Sequence, residues 1–227
     1  MKFEKDLGWW FPEGETHLPA WMRSPKGHMV INGRPSYQGR KQIALLAEAS
    51  QVKGKPLRRI VDVGAHIGLW SFNFAPACSV VEAFEPVLEH RACFERNVLA
   101  DMKDMSKVNL HACALGAIDG SVRIRTAATS SGDSWVSGPG DIPMLTLDSF
   151  AFADVDVIKV DVEGFEENVL RGGMDTLRRC RPVIMVEQKR DMATSRFGLQ
   201  TLGAVHLLQE IGYRVENELS GDYLMTP

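Results

Sequence analysis

The 227-residue chain is poor in several things that would define a function class at once. Its four cysteines (Cys78, Cys93, Cys113, Cys180) are far apart and form no C-x-x-C pair. That argues against a zinc knuckle or a disulfide framework and for reduced thiols inside apolar runs. No stretch of about 18 apolar residues exists, so no membrane-spanning helix is expected. The opening MKFEKDLGWWFPEGE lacks the basic-then-apolar order of a secretion signal, and a cytoplasmic location is expected. There is no excess of positive charge either. A net charge of −3 and a pI near 6.1 provide no broad footprint for duplex nucleic acid. The sequence also has no internal repeat and no low-complexity tract.

What it does have is a globular composition, 44% hydrophobic and 24% charged, in a length that one core can serve. Residues 1–57 read as an N-terminal extension. Residues 1–37 are rich in Trp, Pro and Gly without sustained periodicity, and Tyr37–Gln51 then carries Ile43, Leu45, Leu46 and Ala49 at helical spacing. This extension is expected to cover a cleft or build a subunit contact in a homo-oligomer, with Trp9, Trp10 and Trp21 as packing anchors.

From residue 58 to 227, short β-branched runs alternate with helical patterns, the signature of an α/β domain with a parallel sheet covered on both faces. Strands are predicted at Arg59–Val63, Ser79–Phe84, Val108–Cys113, Val155–Val160 and Pro182–Glu187. Helices are predicted at Ile67–Phe74, Leu88–Ala100, Glu166–Arg179 with an interruption at Gly172-Gly173, and Thr201–Gly212. Tyr213–Asn217 and Tyr223–Met225 close the sheet as an antiparallel pair, giving a Rossmann-like, doubly wound, seven-stranded sheet. Ser121–Arg125 and Pro143–Leu147 are extra short strands around a Ser/Gly-rich loop, Thr129–Asp141.

The strongest local signal is Val61-Asp62-Val63-Gly64-Ala65-His66-Ile67-Gly68-Leu69-Trp70, a strand running through a glycine-bounded turn into a helix. Gly64 permits a sharp turn and close approach to a ligand, and Gly68 permits close packing of the helix. A dinucleotide site wants G-x-G-x-x-G; here His66 stands where the middle glycine would be, which disfavours NAD. Asp62 at the strand end suits a ligand with an α-ammonium, such as S-adenosylmethionine. The segment Val81-Glu82-Ala83-Phe84-Glu85-Pro86 ends a second strand in a carboxylate 23 residues after Asp62, the spacing at which ribose hydroxyls are held. Ala114, after the third strand, is expected beside the adenine, and His111 is read as structural.

The reacting end is expected where the fourth strand meets the first, because ligands of open α/β sheets bind at that switch point. There Ile158-Lys159-Val160-Asp161-Val162-Glu163-Gly164 places Lys159, Asp161 and Glu163 on one side of an extended segment by alternation. Glu187 and Lys189 end the fifth strand. Mutual proximity would tune these groups for general-base work on a hydroxyl. Asp161, Glu163 and Glu187 could also hold Mg²⁺ through oxygens, but no spacing demands it and no metal site is assigned.

Taken in order, VDVGAHIGLW, AFEP, NV (Asn97-Val98), ALG (Ala114–Gly116), TLDSF (Thr146–Phe150), IKVDVEGFE, VEQK and the closing IGY and GDYL resemble the FkbM-type methyltransferases, a class I family that uses S-adenosylmethionine. The resemblance covers roughly residues 58–227 and implies O-methylation of a hydroxyl on a sugar, glycan or natural product. It further implies that Gly64 to Gly68, with Ala65 and His66, line the methionine part, Glu85 and Pro86 the ribose, Ala114 the adenine, and Asp161 with Glu163 the reacting end. His66 departs from the small polar residue, such as Asn, expected in many relatives. The rival functions are an RNA ribose methyltransferase using Asp161, Lys189 and Glu216, which the acidic pI disfavours, and a non-catalytic adenosyl-binding domain.

Overall fold

The computed structural model describes residues 1–54, 56–101, 107–127, 130–189 and 191–227. Thr129, with which the Ser/Gly-rich loop was expected to begin, lies outside them. The chain opens with a hairpin of β1 (Phe3–Asp6) and β2 (Trp9–Pro12), then α1 (His17–Arg23), the short pair β3 (Val30–Ile31) and β4 (Arg34–Pro35), and α2 (Gly39–Lys53). The hairpin was not legible as strands. Its turn is Leu7-Gly8, both at positive φ (53° and 82°), the backbone that a two-residue hairpin loop requires.

A βα alternation follows: β5 (Leu57–Val63), α3 (Ser71–Phe74), β6 (Cys78–Phe84), α4 (Leu88–Asn97) and β7 (Val108–His111). Next come the short strands β8 (Ala114–Leu115), β9 (Gly120–Val122), β10 (Ile124–Thr126), β11 (Ser134–Val136) and β12 (Ile142–Leu145). The chain ends with β13 (Val155–Val160), α5 (Glu166–Arg171), α6 (Met174–Cys180), β14 (Val183–Glu187), α7 (Met192–Phe197), α8 (Gly203–Glu210), β15 (Arg214–Glu218) and β16 (Asp222–Thr226).

The main sheet has seven strands in the order β15-β16-β14-β13-β5-β6-β7. The five strands from β14 to β7 run parallel, and β16 runs antiparallel to both of its neighbours. This is the expected Rossmann-like doubly wound sheet with its antiparallel last pair. Every residue of β13 and β14 is buried, as helices on both faces require. One face packs Val61, Ile158 and Val186 under Leu170, Leu177 and Leu208; the other packs Ile60, Val81 and Met185 under Leu45, Phe74 and Phe94. The helix expected over Glu166–Arg179 is interrupted at Gly172-Gly173 as expected, giving α5 and α6. A Cβ on Gly172 would stand 1.9 Å from the Gly116 carbonyl oxygen, so only glycine lets the two backbones approach there.

The N-terminal hairpin packs on the outer side of α4. Trp9 and Phe11 are buried with Leu18, Met22, Ile67 and Cys93, and Trp9 meets Phe72 edge-on at 5.1 Å. Asn97 accepts from the Trp10 N–H at 2.7 Å and donates to the Trp10 and Ile67 carbonyls, each at 2.9 Å. Three of the cysteines are buried and all four are free thiols; burial pushes Cys78 and Cys93 up to about 12 and Cys113 to about 11. No helix among the described residues is long and apolar enough to cross a membrane.

Candidate active site

A cavity of about 330 Å³ opens over the C-terminal ends of β5, β6 and β13, at the point where the strand order reverses. Its floor is the turn after β5. Gly64 takes φ 74°, and a Cβ there would stand 1.9 Å from the Asp161 carbonyl oxygen, so the tips of β5 and β13 touch only because position 64 has no side chain. Gly68 (φ 90°) lies behind the turn. Its missing Cβ makes room for Val98 and Phe94, so the glycine serves the packing of α4 and not of its own helix as expected.

Glu85 hangs from the end of β6 into this turn. It accepts from the His66 N–H and the Val87 N–H, each at 2.8 Å, and faces His90 Nδ1 at 3.3 Å. A carboxylate has about four acceptor directions, so capacity remains for a ligand hydroxyl. Pro86, Ala65, His66 and Ala114 also line the cavity. His66 sits at φ 52°, an unusual conformation for a residue with a side chain. Burial, together with nearby His90 and Lys159, holds its imidazole well below the usual histidine range.

Asp62 is placed differently from expectation. It is fully buried and is not among the residues that line the cavity; it accepts from Ser71 Oγ at 2.6 Å and faces Lys159 Nζ at 3.2 Å. Lys159 donates to the Gly64 carbonyl at 2.7 Å and lies 4.0 Å from Asp161. Burial works against its charge, yet Asp62, Asp161 and Glu187 outweigh it and raise the Lys159 pKa. It is therefore a fixed cation that ties the two strand tips together, not a proton acceptor.

The far end of the cavity is acidic. One carboxylate oxygen from each of Asp161, Glu163 and Glu187 lies within 4.8 Å of the others. Strand β13 stops at Val160, and Glu163 reaches the cavity through a left-handed turn (φ 58°) followed by Gly164 (φ 104°), so the expected strand alternation is not what brings it there. Burial and then Asp161 raise Glu163 to about 7; the same two causes raise Glu187 to about 9. Glu187 Oε2 is buried and has no hydrogen-bond partner among the described residues. Cations already face this group: Lys189 is 2.8 Å from Glu187 and 3.9 Å from Glu163, and Arg196 is 3.4 Å from Glu163. Lys189 and Arg196 thus supply the counter-charge that a metal would otherwise bring.

Comparison with known proteins bears on this arrangement. The sequence profile of the methyltransferase FkbM domain matches residues 62–215. The chain belongs to the FkbM methyltransferase family. Among solved structures it is similar to methyltransferase FkbM from Methylobacillus flagellatus KT, with a TM-score of 0.52 at 18% identity over 78% of this chain and 46% of that one. It thus spans about half of that relative, a likeness that concerns the fold alone. Weaker likenesses are to a precorrin-6y C5,15-methyltransferase from Geobacter metallireducens GS-15 and to magnesium protoporphyrin IX methyltransferase from Synechocystis PCC 6803, which was solved with bound SAM. The first has a TM-score of 0.48 at 15% identity, over 88% of this chain and 90% of that one. The second has 0.49 at 9% identity, over 83% of this chain and 77% of that one. No curated protein matches the sequence.

In this FkbM domain, several residues at the cavity were not read from the sequence. Tyr37 comes from the N-terminal segment, where no motif marks it; burial and Asp161 push its phenol up. Arg196 is not a cavity-lining residue but reaches Glu163 from α7, an element that no pattern in the sequence marks. His90, in the first turn of α4 and five residues past Glu85, carried a usable signal. His111 is structural as expected, stacked on Phe84 at 4.5 Å and facing Glu82 at 2.8 Å. Glu216 lies on the exposed edge strand β15 and is not among the cavity-lining residues, so the set considered for RNA is not assembled.

Proposed function

We propose that this FkbM domain transfers a methyl group from S-adenosylmethionine to a hydroxyl oxygen of a small-molecule or glycan acceptor. The observation that carries the reading is one cavity with two unlike ends: a glycine turn beside Glu85, and a buried carboxylate, Glu163, pushed up to about 7. A ligand lying between them has its ribose at Glu85 and its sulfur toward Asp161. The glycine turn at Gly64, with Glu85 beside it, and the apolar wall of Ala114 and Leu115 fit such a ligand.

When bound, the cofactor supplies an activated methyl on a sulfonium. The acceptor oxygen attacks that methyl, and its proton has to leave. Glu163 takes that proton, its pKa matching a base that works near neutral pH. Asp161, on the cavity wall and the more exposed of the cluster, orients the acceptor hydroxyl. Glu187, 2.8 Å from Lys189, positions that ammonium beside Glu163. Asp62 and Lys159 act through the backbone, by fixing the Gly64 turn. Residues 58–227 form the methyltransferase domain, and residues 1–57 cover the cavity through His17, Leu18, Tyr37 and Gln38.

The test is transfer of a labelled methyl from S-adenosylmethionine to a panel of sugars, glycans and natural-product alcohols, with S-adenosylhomocysteine and NAD compared in a thermal shift assay. A methyl at oxygen, lost in Glu163→Gln, is the expected result. Stabilisation by NAD alone would overturn the cofactor; S-adenosylhomocysteine binding without transfer to any acceptor would favour a non-catalytic adenosyl-binding domain.

A further inference from the structure

Three segments far apart in the chain meet at one hydroxyl on the cavity wall. Ser131 stands between β10 and β11, in the stretch 130–134 that lines the cavity opposite the Gly64 turn. Its backbone N–H and its Oγ–H both go to Glu15 Oε2, at 2.5 Å each. Glu15 is buried just before α1, and its other oxygen accepts from the Leu18 N–H at 2.9 Å. On the other side, Ser131 Oγ is 2.8 Å from His66 Nε2.

A serine hydroxyl has one proton to give. Glu15, with backbone N–H groups on both oxygens, is the acceptor, so the Ser131 proton points toward Glu15. Toward His66 the same oxygen can then only accept, and His66 must donate from Nε2. A neutral imidazole carries a single ring proton, and burial beside His90 and Lys159 keeps His66 neutral. Its Nδ1 is therefore a bare lone pair. No donor among the described residues reaches that atom, although His66 lies on the cavity wall.

We propose that Glu15 and Ser131 are positioning residues for ligand binding. They latch segment 130–136 over the cavity and lock the His66 tautomer, so that Nδ1 is presented as an acceptor for an ammonium group of the bound ligand. The identity of that ligand rests on the function proposed above: its α-ammonium is the donor that a neutral acceptor at the glycine turn would take. Asp62, the residue the sequence singled out for this contact, is occupied by Ser71 and Lys159. Glu15 lies outside the stretch 62–215 that the family profile matches, so the N-terminal segment takes part in recognition and does more than cover the site.

The test uses the full chain, ¹⁵N-labelled, with His66 assigned by comparison with His66→Asn. Long-range ¹⁵N–¹H spectra read the tautomer, hydrogen exchange reads segment 130–136, and calorimetry reads S-adenosylhomocysteine affinity. The wild type is expected to carry Nε2–H. Ser131→Ala should mix the tautomers, speed exchange over 130–136 and weaken binding about tenfold, the scale of one hydrogen bond. Ser131→Thr, which keeps the hydroxyl, should stay within about twofold. An Nδ1–H tautomer in the wild type, or a Ser131→Ala variant with unchanged tautomer and affinity, overturns the latch. If the wild type does not bind S-adenosylhomocysteine, the reading of the ligand falls. The wild-type tautomer and the exchange of Ser131→Ala then decide the latch by themselves.

Discussion

Lys159 Nζ donates to the Gly64 carbonyl at 2.7 Å while facing Asp62 at 3.2 Å, so one buried ammonium joins the tips of the first and fourth strands of the parallel set. Lys159→Met leaves Asp62 wholly buried and without its counter-charge. Breaking a buried pair from one side costs about 3–5 kcal/mol, and that loss is expected in urea denaturation. Adding Asp62→Asn should recover much of it, because the uncompensated charge disappears. Equal instability in the single and double variants would show that the pair is not the source.

Activity should follow the protonation of Glu163. With its carboxyl pushed up to about 7, the base is lost as pH falls through that value, so kcat/KM should decline on the acid side with a midpoint near 7. Glu163→Gln should lower kcat by about 10²–10⁴-fold and flatten this limb. A full-rate Glu163→Gln enzyme with the same profile would move the base elsewhere.

The doubly wound sheet with its antiparallel last pair was legible from alternating strand and helix patterns, and Gly64 and Glu85 line the cavity because both follow strand ends, which fix where a side chain can go. The reacting end was only half legible. Asp161 is one residue past β13 and lines the cavity, whereas Glu163 arrives by a left-handed turn that alternation cannot describe. Asp62 looked like a ligand group because the sequence does not show that Lys159 is across the strand pair. The N-terminal hairpin was hidden since Trp9-Trp10-Phe11 breaks binary alternation; Trp10 is half-buried between two buried neighbours, and only the positive-φ Leu7-Gly8 turn defines the strands.

Glu187 carries a stability signature with the opposite sense to an ordinary ion pair. Its folded pKa, about 9, lies above the ordinary carboxyl value, so the native state keeps a proton that the unfolded chain has released. Its contribution therefore falls as pH rises from about 4.5 to about 9. Glu187→Gln removes the titration, so its stability relative to wild type should rise between pH 4 and pH 9. Parallel pH–stability curves for the two proteins would contradict the assignment.

Gly64→Ala should abolish ligand binding. The added Cβ meets the Asp161 carbonyl, which is backbone and cannot rotate away, and φ 74° is strained for any side chain. The expected outcome is a Tm lowered by several degrees and no thermal shift with S-adenosylhomocysteine. At Gly68 the obstacle is the side chains of Val98 and Phe94, and Gly68→Ala should lose stability while the surviving folded fraction still binds.

Asn97 decides whether the N-terminal hairpin stays on the domain. Its side chain accepts from one Trp10 backbone group and donates to the other, and donates also to the Ile67 carbonyl, so two half-buried backbone groups and one buried one depend on it. Asn97→Ala strands all three, at about 1–3 kcal/mol for each unsatisfied group before the hairpin relaxes into water. Relaxation is the easier route, because the hairpin leads directly into Glu15 and α1 and can lift as a unit. The expected result is rapid proteolytic cleavage within residues 1–23 in Asn97→Ala but not in wild type. Ligand affinity should fall with it, since Glu15 and the Leu18 wall leave the cavity together. Resistance to protease with unchanged affinity would mean that Trp9 and Phe11, buried against Ile67 and Cys93, hold the segment without Asn97.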